Sequence, residues 1–425
     1  MHFRRFCHNL HTPQSYKMST YLHNLFAQRI GGPGYGLKEA PIYKFERIKR
    51  AKRAASAAHP DKELLDFGVG EPDSMADPKV VANLAHEAAL PANRGYADNG
   101  GPRLRTAAAH YLKEVFGVTA NPETEIMHSI GSKAALSILP AALIDPGDVV
   151  LMTSPGYPVF GTHATYYGGV VHPLLLTPEN KYLPRLDTIP RPILDKAKVL
   201  VLNYPNNPTG AVTDLAFFER AVAWAKRHDV IIAHDLAYSE VTFDGYVAPS
   251  ILEVDGARDV AIEFNSLSKS FNMTGWRIGM AVGNAMLIDA LRRVKSNLDS
   301  GVPQAVQQMA ITALDGPPAA IEAHNDIYRA RRDRVIEVLH ALGLRVDPPK
   351  ASLYVWARLP GGESSSAAYA ARLIDATGVV VTPGISYGPA GEGYIRLSLT
   401  LPDARVEEGL RRLSAFARGE TVLNR

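Results

Sequence analysis

The stretch VAIEFNSLSKSFNMTGWRIG, residues 260–279, decides how the rest of the chain is read. It opens on Val260-Ala261-Ile262-Glu263-Phe264, a short and nearly continuous apolar run of the kind that forms a strand covered on both faces. Lys269 follows within Ser266-Leu267-Ser268-Lys269, which places a lysine at the carboxyl edge of a parallel sheet, where open α/β sheets hold ligands. Burial there disfavours the ammonium form and frees a neutral amine to condense with an aldehyde. Eight residues on, Arg277 offers a planar fork suited to a phosphate. The bland alternative, a surface lysine in a serine-rich turn, stays open on this segment alone.

Working outward, three more short apolar runs read as buried strands, at residues 149–152, 199–202 and 230–233. Helices are expected between them over 132–143, over 213–228 behind the capping pair Thr213-Asp214, and over 285–298. Strand–helix alternation of this kind predicts an α/β fold with a mainly parallel sheet, assigned to a large domain over 66–310. After residue 310 the pattern changes to a long helix (318–342), short strands near 353–357, 379–381 and 394–399, and a last helix over 405–418. That is read as a smaller α+β domain over 311–425. Residues 1–65 read as an N-terminal arm, contributing to the small domain, with one helix around 43–58.

Three further elements follow predicted strands. Asn203-Tyr204-Pro205-Asn206-Asn207-Pro208-Thr209-Gly210 is dense in turn-forming residues, and a turn is its plain reading; the functional one has Asn207 aim its amide at a ligand oxygen. Asp235, after the third strand and followed by Tyr238, either caps a helix or pairs with a protonated ring nitrogen. Gly131-Ser132-Lys133 opens a helix, where free N–H groups form either an ordinary cap or a phosphate site.

Composition narrows the alternatives. The chain has 425 residues, 46% hydrophobic and 21% charged, which is enough for a sizeable core. A formal charge of +3 gives no strong field for nucleic acid or an anionic membrane. The basic run over 44–53 reads as a solvated helix face. A single cysteine, Cys7, excludes an internal disulfide and a cysteine-rich metal site, and no metal is expected. No apolar run is long enough to span a membrane, and Arg4 and Arg5 precede polar residues instead of a secretory core, so the cytoplasm is the expected compartment. No Gly-x-Gly-x-x-Gly follows a strand, which removes a plain dinucleotide-binding fold.

Together these segments resemble the class I/II aminotransferases of pyridoxal-phosphate fold type I, over nearly the whole chain. Ser-x-Ser-Lys followed by Gly275-Trp276-Arg277-Ile278-Gly279, and the run Pro205–Gly210 (PNNPTG), carry the likeness. The resemblance implies a pyridoxal 5'-phosphate cofactor held by Lys269 as a Schiff base, with Lys269 also moving the substrate proton. It further implies Asp235 on the pyridine nitrogen, Asn207 and Tyr238 on the ring hydroxyl, and Tyr157 stacked on the ring. Ser132, Lys133, Ser266 and Arg277 would hold the phosphate, with Tyr96 reaching the phosphate of a partner subunit in a homodimer. Arg396 would clamp the substrate α-carboxylate beside the backbone of Gly70.

Residues 67–76 and 93–101 are similar to one bacterial branch of the LL-diaminopimelate aminotransferases, as is the stretch 44–50. The plant pattern, with a glutamate shortly after the tyrosine matching Tyr96, is absent; Asp98 and Asn99 stand there and either meet the far end of a long dibasic substrate, with Lys133 an alternative donor to Asn99, or only shape a glycine-rich turn. The implied reaction is transamination between LL-diaminopimelate and 2-oxoglutarate in lysine and cell-wall synthesis, with an amino acid and a 2-oxo acid as partners and no nucleic acid or membrane. An aspartate or aromatic aminotransferase and a carbon–sulfur lyase on the same scaffold remain alternatives. A cofactor-binding regulator would need a DNA-binding domain, for which the first 65 residues are too short.

Overall fold

The computed structural model describes residues 25–32, 52–53, 56–57, 63–97, 100–420 and 422. Asp98, Asn99 and most of the helix expected over 43–58 lie outside these residues. Met1–Arg47 forms a unit of its own, of which a short 3-10 turn at Gln28–Ile30 is described. The sheets belong to the second unit, Ile48–Arg425.

In chain order the strands are β1 (Leu65–Asp66), β2 (Ile126–Ser129), β3 (Val149–Ser154), β4 (Val170–Leu175), β5 (Ala197–Asn203), β6 (Ile231–Leu236), β7 (Ala261–Ser266), β8 (Gly279–Gly283), β9 (Arg345–Val346), β10 (Tyr354–Arg358), β11 (Val379–Val380), β12 (Thr382–Pro383) and β13 (Tyr394–Ser398). Seven of them form one sheet in the order β2-β8-β7-β6-β5-β3-β4. Every neighbouring pair is parallel except those made by β8, which runs antiparallel to β2 and β7.

The apolar runs explain this sheet. Side chains alternate across a strand, so Leu200, Leu202 and Ile232 point to one face and pack with Phe217, Phe218 and Trp224 of the helix Leu215–His228. Val199, Val201, Ala233, Ile262 and Phe264 point to the other and meet Leu136 and Phe160. Both faces are buried, as parallel sheets require. The helix expected over 213–228 starts at Leu215, with Asp214 Oδ1 accepting the Phe217 N–H at 2.9 Å. The helix expected over 132–143 is corrected to two, Gly131–Ile138 and Pro140–Leu143, because Pro140 has no N–H to continue the first. β4 and β8 were not anticipated: β4 is a solvent-facing edge interrupted by Pro173, and β8 is short and bounded by glycines.

A second sheet, β12-β13-β10-β9, is antiparallel and pairs Trp356 with Arg396 and Tyr354 with Ser398. Its core of Leu353, Val355, Ile395, Leu397 and Leu410 also takes in Leu65 and Phe67. β1 pairs with β11, and the Ser398 N–H donates to the Phe67 carbonyl at 2.7 Å, so the segment after β1 runs beside β13. Arg331, from the helix Ala319–Ala341, anchors that segment by a bidentate pair to Asp73 at 2.8 and 2.9 Å and a contact to Asp403 at 2.7 Å. The hydroxyls of Ser398 and Thr400 donate to the Val69 carbonyl at 2.7 and 2.8 Å. Gly68, Val69 and Gly70 are thereby held between the ends of the two sheets.

Candidate active site

Lys269 stands just past β7. The Ser266 hydroxyl accepts the Ser268 N–H at 3.2 Å and caps the single turn Leu267–Ser270 that carries the lysine. Lys269 Nζ donates to the Gly70 carbonyl at 2.6 Å. Burial pushes its amine down to about 8; Arg277 and Arg396 push the same way, against the carboxylate of Glu71. A buried ammonium on which two guanidiniums act gives up its proton more readily than an exposed one. Glu71 is itself held by the Thr274 hydroxyl at 3.1 Å.

Asp235 is near the end of β6, in register with Asn203 of β5. The Asn203 amide donates to the Asp235 carbonyl at 2.8 Å, while its own oxygen accepts the Asn207 N–H at 2.8 Å, which fixes the loop that follows β5. Asp235 is buried, and its Oδ1 has no hydrogen-bond partner among the described residues. Burial lifts its carboxyl to about 7, against the lowering effects of His234 and the Ala237 N–H. A buried carboxylate oxygen left open in this way is a place for a ligand N–H.

Arg396 on β13 is fully buried. Its Nη1 donates to Asn207 Oδ1 at 2.9 Å, and its Nη2 donates to the Gly68 carbonyl. The guanidinium carbon lies 4.0 Å from the centre of the Tyr354 ring and 5.2 Å from that of Tyr387. Because Arg396 occupies the oxygen of the Asn207 amide, the amide nitrogen is left to donate elsewhere. Arg396 Nε is buried without a protein partner among the described residues. Tyr238 and Tyr354 share a hydrogen bond at 2.9 Å, and burial holds the Tyr238 phenol well above its usual range. Tyr354 packs so closely on Gly70 that a Cβ there would lie 2.1 Å from the phenol oxygen, so the position requires glycine.

The fourth part is an anion cradle at the start of the helix Gly131–Ile138. Gly131 has φ +71°, and a Cβ on it would come within 2.4 Å of Arg277 Nη2, so the guanidinium lies directly over the helix start. Arg277 Nη1 is anchored on the Thr274 carbonyl at 2.9 Å. Ser132 is buried there and Lys133 is exposed. N–H groups at a helix start, with guanidinium and ammonium beside them, suit a phosphate. Tyr157, in the loop after β3, is half-buried against the apolar layer that contains Phe264.

The structure therefore brings Lys269 to Gly70, Arg396 to Asn207, and Arg277 to Gly131. Tyr96 stands apart, 85% exposed, and Asp98 and Asn99 lie outside the described residues. Sequence reading missed Tyr354, Tyr387 and Glu71. Tyr354 and Trp356 alternate on β10 opposite Tyr394, Arg396 and Ser398 on β13, and that paired alternation of aromatic and polar residues was the available signal. The donor set fits pyridoxal phosphate: an amine with a lowered proton affinity, an open buried carboxylate oxygen and a helix-start cradle are what an aldehyde, a ring N–H and a phosphate require. Among the described residues no group of His, Cys, Asp or Glu is arranged to hold a metal ion, and no helix is long and apolar enough to cross a membrane.

Comparison with known proteins agrees with this geometry. The family described as aminotransferase class I and II matches residues 62–413. The chain is 49% identical over 381 residues to an LL-diaminopimelate aminotransferase of Dehalococcoides mccartyi (strain CBDB1), covering 89% of this chain and 97% of that protein. It is 45% identical over 378 residues to the LL-diaminopimelate aminotransferase of Desulforudis audaxviator, covering 89% of this chain and 96% of the relative. Among solved structures, substrate-bound BacF from Bacillus subtilis superposes with a TM-score of 0.84 at 35% identity, over 90% of this chain and 96% of that one.

Proposed function

Since the chain belongs to the class I and II aminotransferases, a family that depends on pyridoxal phosphate, we propose that it transfers an amino group between LL-diaminopimelate and 2-oxoglutarate. The reaction runs equally in reverse, from glutamate to tetrahydrodipicolinate, and belongs to the synthesis of lysine and cell wall. The observation that carries the substrate is the 49% identity over 381 residues to an enzyme of that name. The observation that carries the chemistry is the open, buried Oδ1 of Asp235, together with the depressed amine of Lys269.

When bound, pyridoxal phosphate supplies an aldehyde that exchanges amines and a protonated ring that takes up the electron pair of a broken Cα–H bond. Lys269 would hold the aldehyde, and its neutral amine would carry a proton away from the substrate Cα. Asp235 accepts the ring N–H and keeps that nitrogen charged. Asn207, with its oxygen fixed by Arg396, would donate its amide N–H to the ring oxygen, with Tyr238 as the second donor there. Arg396 keeps three of its five N–H donors, Nε among them, for the substrate carboxylate beside Gly70. Ser132, Lys133, Ser266 and Arg277 would hold the phosphate and Tyr157 would cover the ring face. Asp98 and Asn99 meet the distal end of the substrate.

With this function goes a large domain over 66–310, a small one over 311–425, and a cytoplasmic homodimer in which Tyr96 reaches the partner's phosphate. Exposed apolar side chains at Val69 (49%), Met75 (69%) and Tyr96 (85%) support such an interface. The test is a half-reaction screen. The protein, loaded with pyridoxal phosphate, is mixed with LL-diaminopimelate, meso-diaminopimelate, aspartate, glutamate or phenylalanine, and loss of the aldehyde absorbance is followed. LL-diaminopimelate and glutamate should convert fastest, and Lys269→Ala should give no turnover. Preferential conversion of aspartate or phenylalanine, or pyruvate release without an acceptor, would replace the substrate assignment.

A further inference from the structure

One residue before Asp235, His234 points to the opposite face of the sheet and is fully buried. Glu263 stands beside it in register on β7, equally buried. His234 Nδ1 lies 3.0 Å from Glu263 Oε2, and Nε2 lies 3.2 Å from the Tyr204 carbonyl oxygen. The same carboxylate receives the Ser250 hydroxyl at 2.9 and 3.0 Å, the Ile251 N–H at 3.0 Å and the Asn265 amide at 3.3 Å. A carboxylate facing this many donors is the ionised form. A backbone carbonyl only accepts. Both imidazole nitrogens must then donate, and an imidazole that donates twice is a cation.

From this arrangement we propose that His234 is a positioning residue for the cofactor site: an imidazolium, held by Glu263 and the Tyr204 carbonyl, that keeps the neighbouring Asp235 ionised from behind the sheet. The inference rests on the reading of Asp235 as the partner of the cofactor ring nitrogen. Asp235 sits in a buried site where ionisation is costly, and the nearby positive charge of His234 offsets that cost. The other imidazole bond holds Tyr204, the first residue after β5, and so steadies the loop that carries Asn207. A buried ion pair adds little net stability compared with an apolar pair of the same volume, which leaves the charge itself as the reason for this one. Among the described residues, the titratable groups facing Asp235 and His234 are each other, Tyr238 and Glu263; the Tyr204 phenol turns away to the Tyr182 carbonyl at 2.6 Å, and the Phe218 ring closes the site edge-on at 4.9 Å.

Two measurements test this. The first is nitrogen NMR of the cofactor-loaded enzyme labelled at histidine, with the His234 signal assigned by its loss in His234→Gln. Both ring nitrogens should carry protons in the loaded enzyme at neutral pH, and one unprotonated nitrogen there overturns the proposal. The second is the dissociation constant of pyridoxal phosphate from wild type, His234→Gln and Glu263→Gln. Below about pH 7 both variants should bind roughly tenfold more weakly, with the acid limb displaced to a pH about 1 higher, and they should approach wild type near pH 9. A loss that is the same at every pH is a packing effect and refutes the electrostatic role. Failure of the wild type to bind pyridoxal phosphate would instead remove the cofactor reading, which separates the two outcomes.

Discussion

Replacing Asp235 by asparagine should make the cofactor-free protein more stable while it weakens cofactor binding. Burial raises the Asp235 carboxyl from its ordinary 3.8 to about 7. Without cofactor, the folded chain therefore holds this proton more tightly than the unfolded chain does. Its contribution to stability is complete below the ordinary carboxylate range and is lost as pH rises toward 7. Each tenfold gain in proton affinity on folding is worth about 1.4 kcal/mol, so the rise from 3.8 to about 7 corresponds to about 4 kcal/mol lost by pH 8. Asparagine has nearly the same volume and cannot ionise. The advantage of Asp235→Asn over wild type should therefore grow by about 2 kcal/mol between about pH 5.5 and about pH 7, then level off. Urea unfolding of the two cofactor-free proteins, followed by tryptophan fluorescence at several pH values, measures the gap. Its dependence on pH is the signature, because an unpaired amide in the same pocket costs the same at every pH. The asparagine variant should also release pyridoxal phosphate more readily, having no charge to hold the ring N–H. A gap that stays constant with pH, or its absence at pH 8, would show that Asp235 is not a strained carboxyl.

Three further perturbations probe the other parts of the site. Gly131→Ala forces a Cβ residue to φ +71° and 2.4 Å from Arg277 Nη2; it should cost at least about 1 kcal/mol, weakening pyridoxal phosphate about tenfold in a fluorescence titration while changing the affinity for phosphate-free pyridoxal much less. Arg396→Lys removes the fork shared between Asn207 and Gly68 and the stacking on Tyr354; kcat/KM for the amino donor should fall by about 100-fold, roughly 3 kcal/mol, in steady-state assays with the lysine contact to Gly70 intact. Glu71→Gln takes away the one carboxylate that opposes the lowering of Lys269; in the cofactor-free protein, labelling of Lys269 by an amine-directed reagent should then persist to lower pH than in wild type, and a move toward higher pH would contradict the assigned sign.

The sheet was legible because its physics is local. Val149, Val199, Val230 and Val260 each open a run too apolar for anything but a two-sided core, and the structure builds β3, β5, β6 and β7 there. β4 escaped because an edge strand has one face in water and tolerates a proline such as Pro173. The glycines that bound β8 serve another end: a Cβ on Gly279 would strike the Ser132 N–H nitrogen at 2.9 Å, so the strand is short on side chains where the anion cradle must approach it.

The site was legible residue by residue, and its pairings were not. Lys269 meets Gly70 across 199 positions of sequence, and Arg396 meets Asn207 across 189 and Gly68 across 328. Nothing in a local pattern reports a contact of that separation, because it is created only when β13 is laid beside the segment after β1. This also explains why Tyr354 went unnoticed although it does three things: it bonds Tyr238, faces the Arg396 guanidinium and forbids a side chain at Gly70. Each is a consequence of packing between segments, and an isolated Tyr-Val-Trp strand looks like core. The same logic applies behind the sheet. His234 precedes Asp235 in the chain, so a charge in one is felt by the other whatever the fold does; but the charge on His234 depends on Glu263, a strand away, and on the Tyr204 carbonyl. Adjacency in sequence supplies the coupling, and the register of β6 on β7 decides its sign.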